Sequence, residues 1–212
     1  MTRRRRGAAA PQAPEPNASV RFFDAQFRRQ IAAHDEQLNP FETAALAHLR
    51  GNVLDLGCGL GNLALAAARR GCRVTALDGS ATAIAHLRDA AQREALPLQA
   101  EEADLRTHRI AGRYDTVVCI GLLMFFDCAA ALRQLAALQA AVRPGGTAVV
   151  NLLIEGTTYR DMFAPEGYCL FAPGELRARF AGWEILHDER RSFEAPGGTL
   201  KVFETVMARK SG

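Results

Sequence analysis

The chain reads as an α/β protein of the Rossmann-like kind, a mostly parallel sheet with helices on both faces, and three observations predict it. Between residues 52 and 153, short apolar runs alternate with amphipathic helical stretches. The first run, NVLDL at 52–56, ends in a glycine turn, GCGLGN at 57–62, that opens directly into a helix. An acidic residue, Asp78, closes the second apolar run.

The elements follow in order. Residues 1–20, with arginines 3–6 and prolines 11, 14 and 16, read as a disordered tail. No apolar stretch follows the arginines, so no export signal is expected; a basic arm touching RNA or lipid is the alternative to a solvated tail. Apolar residues at 22, 23, 27 and 31 give 22–34 a helical rhythm, and this helix could cap a cleft. Asn39-Pro40 starts a second helix with Phe41, Leu46 and Leu49 inward. Residues 21–50 thus form cap helices ahead of a ligand-binding domain at 51–212.

In that domain, strands are expected at 53–56, 73–77, 98–101, 116–120 and 147–153, and helices at 62–70, from Ser80 through Arg93, and at 129–142. Gly71 ends the first of these helices, and Pro144-Gly145-Gly146 turns the chain before the fifth strand. Residues 155–171 read as a loop and 174–180 as a helix. A hairpin, 184–191 with 200–207 around Ala195-Pro196-Gly197-Gly198, brings the sheet to seven strands with an antiparallel addition at its edge. No internal repeat and no second domain is read.

At 212 residues, 49% hydrophobic and 23% charged, this is one ordinary globular domain. The tail arginines supply four of 26 basic residues, leaving 22 against 23 acidic ones, so the body is near neutral and a nucleic-acid partner is not expected. Five cysteines, at 58, 72, 119, 128 and 169, show no C-x-x-C. Neither disulfides nor a zinc or other metal site is expected, and Cys58, Cys72 and Cys119 read as small apolar residues. No apolar run reaches membrane-spanning length, so a cytoplasmic protein without a membrane partner is the expectation.

The glycines at 57, 59 and 61 are spaced G-x-G-x-G, whereas a dinucleotide fingerprint needs its third small residue at 62, which is Asn. Led by Asp55, this turn resembles the first motif of class I S-adenosylmethionine (SAM) dependent methyltransferases; an ordinary glycine turn without ligand is the alternative. The resemblance implies the class I methyltransferase fold, SAM as cofactor and S-adenosylhomocysteine as its product. Asp55, Gly57, Asp78, Asp104 and Ile120 all fall at carboxyl ends of strands, on one rim.

On that rim the backbone of Gly57, Cys58, Gly59 and Gly61 can approach a ligand closely, and the helix starting at Asn62 offers free N–H groups to the methionine carboxylate. Asp78, beside Gly79, can accept from both ribose hydroxyls. Asp104 would accept from the adenine amine with Leu105 over the ring, and Ile120 and Gly121 would floor the site. The run GLLMFF at 121–126 is either core or the wall of an apolar pocket. Methyl transfer from a sulfonium needs no protonated leaving group, so a dedicated acid or base can be absent. No D-P-P-Y, N-P-P-Y or Pro-Cys motif is found, which leaves a small molecule or ion as acceptor.

From Val53 to the C-terminus the chain resembles the tellurite-resistance methyltransferases of the TehB type, through VLDLGCGLGN, LLMFFD ending at Asp127, GELRARFAGWEIL around Trp183 and FETVMARK at 203–210. The resemblance implies acceptors such as tellurium or selenium oxyanions, and basic residues near the final hairpin to hold them. Arg191 matches an arginine there, Arg190 stands where a histidine is expected, and Arg177 is a second candidate. Residues 22–42 are longer than that family leads one to expect, so Gln30, His34 and Asp35 could face the site, with His34 as the nearest plausible base. Two other readings stay open: a SAM-binding sensor or partner subunit without transfer activity, and a nicotinamide oxidoreductase, which Asn62 disfavours. Neither the acceptor nor the oligomeric state is legible.

Overall fold

The computed structural model describes residues 18–34, 36–164 and 167–212; the basic tail and Asp35 lie outside them. Two helices, α1 (Ala18–Ala32) and α2 (Pro40–Leu46), precede the sheet domain. Then follow β1 (Asn52–Leu56), α3 (Asn62–Arg69), β2 (Arg73–Asp78), α4 (Ala81–Arg93), β3 (Leu98–Glu102), β4 (Tyr114–Ile120), α5 (Cys128–Ala141) and β5 (Val142–Leu153). A single helical turn, α6 (Glu175–Ala178), leads to the hairpin of β6 (Glu184–Ala195) and β7 (Thr199–Arg209).

The sheet has seven strands in the order β3-β2-β1-β4-β5-β7-β6. All neighbours from β3 to β5 pair in parallel, and β7 pairs antiparallel with both β5 and β6. The antiparallel strand is therefore inserted next to the edge, and β6 closes the sheet outside it. This is the seven-stranded class I methyltransferase arrangement that the sequence predicts.

Side-chain alternation gives the domain two cores. Val117, Cys119 and Val150 belong to one buried cluster with Leu135, Leu138 and Phe180; their neighbours Val118 and Val149 belong to another with Val53, Leu63, Ile84 and Leu87. A strand buried on both faces has to be apolar at every position, and VVC at 117–119 and AVV at 148–150 meet that demand. Burying one large side chain of this kind contributes about 1.5–3 kcal/mol.

Local chemistry fixes the helix starts. Asn39 Oδ1 accepts from the backbone N–H of Phe41 and Glu42, and Glu42 Oε2 accepts in return from Asn39 N at 2.8 Å. That reciprocal cap, with Pro40 in the first turn, starts α2 in the expected place. Ser80 Oγ caps α4 and Asp127 Oδ1 caps α5 in the same manner.

Several expectations are corrected. Cys128 and Cys169 form a disulfide although none is predicted; 41 residues separate them, so no local spacing announces it. They meet because the loop after β5 folds back to the start of α5, where Cys169 N donates to Met124 O. Cys58, Cys72 and Cys119 are buried thiols. β5 starts at Val142 rather than after the Pro-Gly-Gly turn, because Val142 pairs with Tyr114 and the irregularity is absorbed as a register shift opposite Tyr114 and Thr116. The helix expected over 174–180 shortens to one turn, and α1 starts earlier, at Ala18, and stops before His34, whose φ of 51° is incompatible with continuing it. Among the described residues, no helix is long and apolar enough to cross a membrane.

Candidate active site

Strand order reverses between β1 and β4, and the carboxyl ends of the strands there open into a cavity of about 1080 Å³. That is where open α/β sheets bind ligands. A more open groove of about 740 Å³ follows the outer edge of β3 between Arg88 and Glu101 and touches no residue of the glycine turn.

One end of the cavity is built from the turn after β1. Gly57, Gly59 and Gly61 have φ of 75°, 53° and 79°, the left-handed region that glycine enters without strain. Gly57 N and Cys58 N both donate to Leu77 O, at 2.8 and 3.1 Å, and tie the turn to β2. At Gly61 conformation and space coincide, since an added Cβ would lie 2.5 Å from both methyls of buried Leu87. No side chain caps α3, so its first-turn N–H groups are left for a ligand; Gly61, Asn62 and Leu63 all line the cavity.

Asp78 spans two loops. One carboxylate oxygen accepts from Gly59 N and the other from Ser80 N, each at 2.9 Å. The side chain is thereby oriented with further lone pairs to offer. Burial raises its pKa against the pull of those N–H groups and that of Gly79. Asp55 is 4% exposed, and burial first, then the Glu42 and Asp78 carboxylates, push its pKa to about 8. Burial also raises Glu42, against the N–H bond from Asn39. Three carboxylates on one cavity wall, two of which disfavour ionisation of the third, fit a ligand carrying positive charge.

Gly79, Asp104, Leu105 and Ile120 line the same end. Arg106 donates to Asp104 through its backbone N at 3.1 Å and through Nε and Nη2 at 2.9 Å, which holds the Asp104 pKa down. A purine amine would therefore share Asp104 with Arg106. Helix α1 roofs the turn: Ser80 Oγ donates to Asp24 Oδ1 at 2.7 Å, and a Cβ at Gly59 or Gly79 would come 3.2 Å from Phe27 or Val20.

The other end is aromatic. Phe41, Phe193 and Phe203 form a triangle with centroid separations of 5.8, 4.8 and 5.9 Å, and Tyr159, Met162, Leu153 and Asn151 complete the wall. From the GLLMFF run, Leu123, Met124 and Phe126 are buried in the core, while Leu122, Met124, Phe125 and Phe126 also face the cavity. The run is both core and wall. Lys201 reaches this end with its Nζ 4.8 Å from the Tyr159 ring centroid, and burial lowers its pKa.

Every sequence-predicted cofactor residue, Asp55, Gly57, Cys58, Gly59, Gly61, Asn62, Asp78, Gly79, Asp104, Leu105 and Ile120, lines this cavity, and so does Gln30. The three candidates for catalysis or acceptor binding do not. His34 is exposed beyond the end of α1. Arg177 pairs with Asp188 at 2.7 Å, beside the Glu204 face of the hairpin, where its backbone N donates to Glu204 Oε1. Arg191 is held by Glu189 at 2.7 Å, and Arg190 approaches Glu204 at 3.9 Å. Glu42 at the glycine-turn end, and Asn151, Tyr159, Phe193, Lys201 and Phe203 at the aromatic end, escaped the sequence reading. The one signal for the last three was the period-2 face of the hairpin, on which Phe193 pairs with Lys201 and Phe203 follows two residues on.

Comparison with known proteins assigns the chain to a family. Residues 22–194 match the family described as tellurite resistance protein TehB. Hemagglutinin 1 of Eikenella corrodens is 30% identical across 94% of this chain and 72% of its own length. A probable SAM-dependent methyltransferase TehB of Haemophilus influenzae (strain 10810) is 28% identical across 74% of this chain, which spans only 57% of that relative. The crystal structure of TehB from Haemophilus influenzae superposes with a TM-score of 0.72 at 22% identity, covering 89% of this chain and 67% of that one. The chain belongs to the TehB family of SAM-dependent methyltransferases.

Proposed function

We propose that this protein transfers a methyl group from SAM to a small acceptor seated in the aromatic end of the cavity. The observation that carries the reading is the continuity of one cavity from the glycine turn and Asp78 to the Phe41, Phe193 and Phe203 triangle. In this reading Asp78 holds the ribose hydroxyls, and Gly57, Cys58, Gly59, Gly61 and Asn62 present backbone to the methionine moiety. Asp55, with Glu42, faces the ammonium, and Gly79, Asp104, Leu105 and Ile120 surround the adenine. When bound, SAM supplies an electrophilic methyl on a leaving group that needs no proton.

The chain's own contribution is then alignment and exclusion of water, achieved by the α1 roof and the aromatic wall. Acceptors of the reading are a tellurite- or selenite-like oxyanion or a small metabolite, in a cytoplasmic protein with no nucleic-acid or membrane partner. A second reading, SAM binding without transfer, is favoured by the position of His34, Arg177 and Arg191 away from the wall. Labelled SAM incubated with tellurite, selenite, thiols and small carboxylic acids separates the two. Accumulation of S-adenosylhomocysteine with at least one acceptor is expected; SAM binding with no product across the panel would leave the sensor.

A further inference from the structure

The acceptor end contains two polar groups whose needs the protein does not meet. Asn151 is fully buried on the cavity wall; its Nδ2 donates to Thr205 Oγ1 at 2.8 Å, and its Oδ1 has no hydrogen-bond partner among the described residues. A buried carbonyl oxygen left so is uncommon in a folded protein and calls for a donor. Lys201 is the second. Its ammonium lies against the Tyr159 ring with no described carboxylate in ion-pair reach, in surroundings apolar enough to disfavour the charge.

Strand register relates the two. Asn151 pairs with Thr205 across β5 and β7, and Thr205, Phe203 and Lys201 are alternate residues of β7 on one face. Four residues along a strand span about 13 Å, and a hydrogen bond of about 3 Å at each end leaves room for a ligand about the length of one or two rings. The surface between the two groups is the ring of Phe203, flanked by Phe41 and Phe193. A compact hydrated oxyanion could use Lys201 but would leave that surface uncovered and Asn151 without a donor.

Building on the methyl-transfer reading, we propose that the acceptor is a flat aromatic acid, with its carboxylate or equivalent anion on Lys201, its rings on the Phe41, Phe193 and Phe203 triangle, and its nucleophilic hydroxyl or amine donating to Asn151 Oδ1. Ile120 pairs with Asn151, and Gly121 N donates to Asn151 O at 2.9 Å, so Asn151 stands where the donor and acceptor ends of the cavity meet. The acceptor oxygen or nitrogen forms the new bond to the methyl carbon as the carbon–sulfur bond breaks, with the electron pair staying on sulfur. Its proton leaves to water, because Asn151 orients the X–H bond and cannot keep the proton. Asn151 and Lys201 are thus positioning and specificity residues.

The test is calorimetric binding in the presence of S-adenosylhomocysteine, using 4-hydroxybenzoate, 4-hydroxycinnamate and 6-hydroxy-2-naphthoate, the methyl ester of each, and sodium tellurite. At least one acid is expected to bind about tenfold or more tightly than its ester, and Lys201→Met is expected to abolish that preference. Asn151→Leu is expected to weaken the hydroxy acid several-fold relative to the same acid lacking the hydroxyl. Retained S-adenosylhomocysteine binding certifies that each variant is folded. The proposal is overturned if S-adenosylhomocysteine binds and no aryl acid does, if the acid-to-ester ratio survives Lys201→Met, or if tellurite is the ligand that binds. Failure of S-adenosylhomocysteine itself to bind the wild type would instead overturn the methyl-transfer reading beneath it.

Discussion

At the end of the cavity proposed for the methyl donor, most lining groups come from one continuous stretch, residues 55–105, while at the end proposed for the acceptor they come from Phe41, Asn151, Tyr159, Met162 and the β6–β7 hairpin. The donor end works largely through backbone: positive-φ glycines, the open first turn of α3, and an Asp78 carboxylate fastened by two N–H groups. The acceptor end works through side chains, mainly aromatic rings. Backbone geometry tolerates little change of residue, whereas a side-chain wall can be re-lined one position at a time. In the proposed reading, the shared chemistry lies at one end and the specificity of this protein at the other.

The largest way to break the donor end is Gly61→Ala. The methyl would meet Leu87 at 2.5 Å in a backbone conformation that disfavours any side chain. A loss of roughly 2–4 kcal/mol in stability is expected, read from urea unfolding, together with loss of SAM binding.

Asp55 gives the next effect, through pH. Its folded pKa of about 8 lies above the ordinary 3.8, so the native state holds a proton that the unfolded state gives up. The stability this contributes is complete below the unfolded value and is lost as pH rises from about 4 to about 8, at up to about 1.4 kcal/mol per pH unit. Asp55→Asn should flatten the slope of unfolding free energy against pH in that window. A cationic ligand lowers the Asp55 pKa, so SAM binding should release protons below pH 8, seen as a dependence of calorimetric enthalpy on the ionisation enthalpy of the buffer.

The smallest effect is expected away from both ends. Arg177→Ala removes a half-exposed ion pair with Asp188, and should cost no more than about 1 kcal/mol in stability while leaving SAM affinity unchanged. A loss of SAM affinity in this variant would return Arg177 to the site.

What could be read from the sequence divides along the same line. The strands and the residues that line the glycine-turn end of the cavity were legible because short-range patterns encode them: an apolar run ending in spaced glycines, an acid at the end of the next strand, and Ser80 ahead of a helix. The acceptor end was not, because long-range pairing creates it. Asn151 looks like an interruption in an apolar strand until Thr205 is placed opposite it, and Lys201 looks like an exposed strand lysine until Tyr159 folds back over it. His34 was a candidate for its chemistry and Arg177 for its place in a family match, and neither kind of signal encodes which way a side chain points. The Cys128–Cys169 bridge was hidden for the same reason, its partners being joined only by the return of the 155–171 loop.

The central claim is that the glycine turn and Asp78 form a SAM site, and calorimetric titration of SAM into the wild type and Asp78→Ala tests it most directly. Micromolar binding to the wild type is expected, weakened about 10- to 100-fold in the variant by the loss of charge-assisted hydrogen bonds to the ribose. No binding to the wild type, or equal affinity in the two proteins, would contradict the account.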